Sequence, residues 1–101
     1  MSTNTIEFSH LTPAAKMLRF YNKNKTDFNF AKTSTRIKIF YNGADKPHTD
    51  FYAELHIVKK NQPHGQTFEV IIPHGSKSTK IIVETNNIGH DANDVDVALF
   101  E

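Results

Sequence analysis

The chain has no cysteine, which removes disulfides, thiolate nucleophiles and thiolate zinc sites from its chemistry. Only four glycines occur in 101 residues, and none sits in a loop of the kind that cradles a phosphate. No apolar run approaches the length of a membrane-spanning helix. The stretch from Met1 to His10 is largely polar and has no signal-peptide core. These absences lead to the expectation of one cytoplasmic domain, unless export uses a route that leaves no N-terminal mark. Ser2, Ser9, Ser34, Ser76 and Ser78 fall in turn-like stretches or near the terminus, with no nucleophile-elbow pattern around any of them. The expectation is therefore a protein that is not an enzyme and that takes no cofactor.

What is present is an alternation of apolar and polar residues from Arg36 to Glu101. Ile37, Ile39 and Tyr41 alternate with Arg36 and Lys38, and Phe51, Ala53, Leu55 and Ile57 alternate with Tyr52, Glu54 and His56. Phe68, Val70 and Ile72 follow, then Ile81, Val83 and Thr85, then Val95, Val97 and Leu99 against Asp94 and Asp96. Successive strand side chains point to opposite faces, so the pattern is that of sheet with one buried face. Asn42-Gly43, two proline-histidine turns, the stretch from Asn61 to Gly65 and the gap around Gly89 punctuate the runs. They delimit strands near 35–42, 51–60, 67–72, 79–85 and 94–100.

The first third supports two readings. Thr12-Pro13 resembles a helix start, and Ala14, Met17, Leu18 and Tyr21 then fall at helical spacing. Against this, Phe20-Tyr21-Asn22 before Thr26-Asp27-Phe28 echoes Phe40-Tyr41-Asn42 before Thr49-Asp50-Phe51. The echo favours strands near 16–22 and 27–32, with another near 5–10. The expected fold is an all-β, small antiparallel β-sandwich of about eight strands. The alternative is α+β, with one N-terminal helix packed on an antiparallel sheet.

Apolar residues also intrude on the polar face: Phe40, Val58, Ile71, Ile82, Ala98 and Phe100. A sheet with one wet face does not normally carry so many. Strands from residues 5–32 are expected to cover part of that face as a second sheet, and any remainder would mark an interface. The candidate interface residues are Phe40, Ile71, Ile82 and Phe100.

Formal net charge is only +1, but it is segregated. Residues 16–38 hold seven basic side chains against Asp27 alone, a net of +6, whereas residues 84–101 hold five acidic side chains and no lysine or arginine. Such a chain either presents two oppositely charged regions to partners or lays the two segments side by side. Lys16, Arg19, Lys23 and Lys25 form a candidate basic patch interleaved with Phe20, Tyr21, Phe28 and Phe30, a pattern used by binders of single-stranded nucleic acid.

Histidine follows proline three times, at His48, His64 and His74. Each strand traversed carries the chain to the opposite end of a sheet, about 20 Å away for six residues. The three therefore cannot share one ion; the candidate metal set is His64 with His90, Asp91 and Asp94. An oxygen-rich cluster at Asp91, Asn93, Asp94 and Asp96 lacks the spacing of a helix–loop–helix calcium site. The function expected from all this is a non-catalytic module that binds a protein partner or self-associates as an oligomer. The alternatives are a glycan-binding protein using Tyr21, Tyr41, Tyr52 and polar end loops, and a nucleic-acid binder using residues 16–38.

Overall fold

The structure is a computed structural model that describes residues 2–22, 32–56, 67–85 and 92–101. Among these the chain forms seven strands, β1 (Ser2–Phe8), β2 (Met17–Asn22), β3 (Lys32–Tyr41), β4 (Thr49–His56), β5 (Thr67–Ile71), β6 (Thr79–Thr85) and β7 (Val95–Phe100). The only helical element described is a 3-10 turn over Ala92–Asp94. All pairings are antiparallel, in one sheet of order β1-β6-β3-β4 and another of order β5-β2-β7. The chain is thus all-β, as the alternation indicates, with both sheets contributing to one core.

The N-terminal helix of the α+β alternative is absent. Thr12 to Ala15 is a turn closed by the Ala15 N–H on the Thr12 carbonyl at 3.1 Å, with Pro13 supplying the fixed φ that suits its first central position. Beyond it the period-two signal wins over the helical one: Leu18 and Phe20 are fully buried while Met17, Arg19 and Tyr21 stand on the other face. The strand expected near 27–32 lies outside the described residues.

A second difference concerns which strands share a sheet. The five strands after Arg36 do not form one sheet covered by the N-terminal third. Instead β1 pairs along β6 at the edge of the larger sheet, while β5 and β7 flank β2 in the smaller one. Alternation fixes which side chains point inward, but it carries nothing about which neighbour a strand pairs with. The echo between Phe20-Tyr21 and Phe40-Tyr41 is likewise out of phase. Phe20 and Tyr41 face the core, whereas Tyr21 and Phe40 face outward.

The core is continuous between the sheets. Ile37, Ile39, Ile81 and Val83 from the larger sheet meet Leu18, Phe20, Val95 and Val97 from the smaller. Phe20 stacks on Phe68 with centroids 5.0 Å apart. Phe51, from the larger sheet, meets that same Phe68 edge-on at 5.7 Å, a geometry that favours the ring quadrupoles. At the far end Asn4 donates to the Val95 carbonyl at 3.3 Å, and Ser2 accepts from the Ala92 N–H at 2.7 Å. These polar clips tie β1 to the backbone of Ala92 and Val95, both buried.

Two turns fix the strand ends beside the outer faces. At Tyr41–Ala44 the Ala44 N–H returns to the Tyr41 carbonyl at 3.1 Å, and Asn42 and Gly43 have φ of 57° and 72°, as an asparagine-glycine turn of the primed type requires. Asn42 also accepts from the Lys77 N–H at 2.7 Å. Gly75, at φ 83°, lets the chain reverse between Ile71 and Ser78 where a Cβ would be strained.

Among the described residues two buried side-chain groups are left unpaired, the hydroxyls of Thr35 and Tyr41. Thr35 is 1 % exposed, and its hydroxyl has no hydrogen-bond partner. A desolvated hydroxyl without a partner costs about 1–3 kcal/mol, and valine has the same shape and a higher strand preference. Thr35→Val is expected to raise the urea midpoint by the equivalent of about 1 kcal/mol at unchanged slope. A loss of stability would show that the hydroxyl is satisfied.

Candidate interaction surface

Antiparallel register sorts the outward side chains into rows across each sheet, and the two outer faces differ in kind. On the larger sheet the rows are ionic. Arg36 donates to the two Asp50 carboxylate oxygens from Nε and Nη2, at 2.9 and 2.8 Å, and lies 5.7 Å from the Tyr52 ring centre. Lys38 reaches Glu84 at 3.2 Å. The Arg36 guanidinium holds the Asp50 carboxyl below its ordinary range, and Asp50 in turn raises that of Arg36. Phe40 sits on this face but is only 9 % exposed, with the Lys80 ammonium 4.8 Å above its ring. Ile82 lies between Thr5 and Lys38 in its row and is half-buried. Long charged side chains covering apolar intrusions in this way are a solvated sheet face.

The outer face of the smaller sheet has a different first row. Met17 is in register with Ile71 on one side and Phe100 on the other, so three apolar side chains line up across β5, β2 and β7. Ile71 is 78 % exposed. The next row holds Arg19, whose guanidinium pairs with Glu69 at 2.6 Å and lies 4.1 Å from the Phe100 ring centre. The third row holds Tyr21, donating to Asp96 at 3.0 Å. Burial, reinforced by that carboxylate, pushes the Tyr21 phenol up.

Beside the apolar row lies an open cleft of about 570 Å³. Its apolar lining is Leu11, Pro13, Ala15, Ile71, Ile72 and Pro73, with Lys16, His74 and Lys77 among its polar lining. The walls are tied together by backbone hydrogen bonds of 2.8 Å from Leu11 to Lys77 and from Ile72 to Lys16. A third, also 2.8 Å, runs from Lys16 to Phe100 and anchors the cleft to the row.

The candidate interface residues therefore fall on two opposite faces. Ile71 and Phe100 come together around Met17, whereas Phe40 and Ile82 belong to the ionic face. Of the basic patch, Lys16 lines the cleft and Arg19 is engaged by Glu69, while Lys23 and Lys25 lie outside the described residues. The described parts of the two oppositely charged segments do lie side by side: β2 runs along β7, and Arg36 is in register with Glu84. Of the metal candidates, His64, His90 and Asp91 lie outside the described residues. Asp94 closes the 3-10 turn, and among the described residues no three histidine or carboxylate groups gather around one point. Tyr41, 6 % exposed, is a core residue with its phenol pushed up by burial, so it has little surface to offer a glycan.

The sequence marks Met17 and Pro13 only as parts of a possible helix and does not point to Lys77 or Pro73 as site residues. Reading residues 16–22 at period two would have put Met17 on the outward face. Its neighbours Ile71 and Phe100 come from cross-strand register, which leaves no local trace.

Among the described residues no helix is long and apolar enough to cross a membrane. Comparison with known proteins finds no matching family model, no matching curated protein and no matching solved structure.

Proposed function

We propose that this chain is a non-catalytic interaction module that engages another protein, or a second copy of itself, through the outer face of its smaller sheet. The observation that carries the reading is Ile71, an aliphatic side chain 78 % exposed at one end of a sheet-spanning apolar row and at the lip of a cleft. Single exposed apolar residues are ordinary on protein surfaces; one continuous with further apolar surface is the pattern of contact sites. The opposite face offers less aliphatic surface: Phe40 is only 9 % exposed under the Lys80 ammonium and Ile82 is half-buried, while the exposed ring there, Tyr52 at 73 %, lies 5.7 Å from the Arg36 guanidinium.

The test compares the wild-type chain with Ile71→Asp in sedimentation across protein concentration, and in affinity capture from source cells read by mass spectrometry. The reading requires reversible self-association or a captured protein in the wild type, lost in the variant. A monomeric wild type whose captured proteins match those of the variant contradicts it.

A further inference from the structure

We infer that the cleft between residues 11–16 and 71–77 seats an extended acidic segment of a partner protein, one that carries an aliphatic or aromatic side chain next to carboxylates. This rests on the interaction reading above and specifies what that face takes. The lining joins apolar side chains to polar ones on walls that are stiff: Pro13 and Pro73 have fixed φ, and three backbone hydrogen bonds hold the two segments together and to β7. Such a cleft accepts an anchor side chain without first paying to order its own walls.

The charge around it has one sign. Lys16, Lys77 and His74 line the cleft, and among the described residues no aspartate or glutamate does. Neither lysine belongs to an ion pair among the described residues. Elsewhere on the described surface Arg19, Arg36 and Lys38 each have a carboxylate partner and Lys80 lies over the Phe40 ring, while Lys46, also without an ion pair, stands apart from the cleft. Cationic groups are thus left over at the cleft, where a partner's carboxylates supply what this chain does not.

Two features favour a peptide over other anionic ligands. The cleft runs on through Ile71 into the apolar row of Met17 and Phe100, so an occupant longer than the cleft continues across a sheet face, as a small anion cannot. The described lining has no phenylalanine or tyrosine, and Arg19 occupies the Phe100 ring. The His74 ring is the one aromatic platform in the described lining, too little for the run of stacked bases by which single strands are held.

The experiment is selection of random dodecapeptides displayed on phage against the immobilised full chain at 50 mM salt. Enriched peptides are then titrated into the 15N-labelled chain. The expected result is enrichment of peptides with two or more Asp or Glu beside Leu, Ile or Phe, with amide shifts concentrated at residues 11–16 and 71–77. Lys16→Glu/Lys77→Glu is expected to weaken the best peptide about tenfold, and 500 mM salt to weaken it severalfold in the wild type. Enrichment of basic or neutral peptides, no enrichment, or shifts on the other sheet overturns the inference. So does displacement of the peptide by a dodecameric oligothymidylate that itself shifts these amides. If binding is lost in Ile71→Asp but unchanged in Lys16→Glu/Lys77→Glu, the acidic occupant is wrong and the interaction face stands. If neither variant changes it, both readings fail.

Discussion

Phe20→Ala is expected to destabilise the fold by about 3–5 kcal/mol, the range for truncating a buried phenylalanine in a close-packed core. Phe20 is fully buried in the middle strand of the smaller sheet, and its ring stacks on Phe68. Phe68 in turn receives the edge of Phe51 from the larger sheet. Removing the ring leaves a cavity and deprives Phe68 of its stacking partner, so the loss spreads to the contact that joins the two layers. A domain of this size has a total stability of about 5–15 kcal/mol. The thermal midpoint should therefore fall by about 12 °C or more, taking roughly 4–8 °C per kcal/mol. Calorimetry or a urea titration reads this directly. Phe20→Leu, which keeps most of the volume, should recover a large part of the loss. A Phe20→Ala protein within about 1 kcal/mol of wild type would show that residue 20 is not in the core. It would also restore the helical reading of residues 12–22, in which Phe20 is off the buried face.

Ile71→Asp is expected to separate binding from folding. The side chain is 78 % exposed at the end of β5, so its loss leaves no cavity, and stability should change by no more than about 1 kcal/mol. At the interface the same change places a desolvated carboxylate where an aliphatic group was buried. Removing an anchor of this kind costs about 2 kcal/mol or more, an affinity loss of about thirtyfold or greater. Ile82→Asp on the opposite face is the matched control, since Ile82 lies among ion-paired side chains. An effect on binding from Ile82→Asp and none from Ile71→Asp would move the interface to the larger sheet.

The sequence shows the direction of side chains well and the neighbourhood of strands poorly. Ile37, Ile39, Ile81, Val83, Val95 and Val97 are buried as their alternation indicates, because a period of two is a local property of the chain. Even the ambiguous segment 16–22 carries the correct signal in Leu18 and Phe20. Sheet membership is different. That β5 and β7 flank β2 depends on long-range pairing, and nothing within Thr67–Ile71 or Val95–Phe100 states it. The candidate surface inherits the same division. Ile71 and Phe100 are recognisable as outward apolar residues, but only register sets them on either side of Met17 and apart from Phe40 and Ile82. Charge behaves in the same way. Segregation along the chain leaves open whether the two segments form charged regions or lie side by side, and only antiparallel pairing shows that their described strands do the latter. The cleft was the least legible feature, since its two walls are separated by more than fifty residues and meet through backbone hydrogen bonds.

The chain has two methionines, Met1 and Met17, so 13C-methyl-methionine labelling places a probe in the centre of the apolar row with at most one other signal to distinguish. The most direct measurement is to monitor that methyl resonance as the labelled chain associates, either with itself on concentration or with a captured or selected partner. The account predicts that the Met17 methyl shifts or broadens in step with complex formation, and that Ile71→Asp abolishes the change. A complex that forms fully while the Met17 methyl stays where it is in the free chain would contradict it.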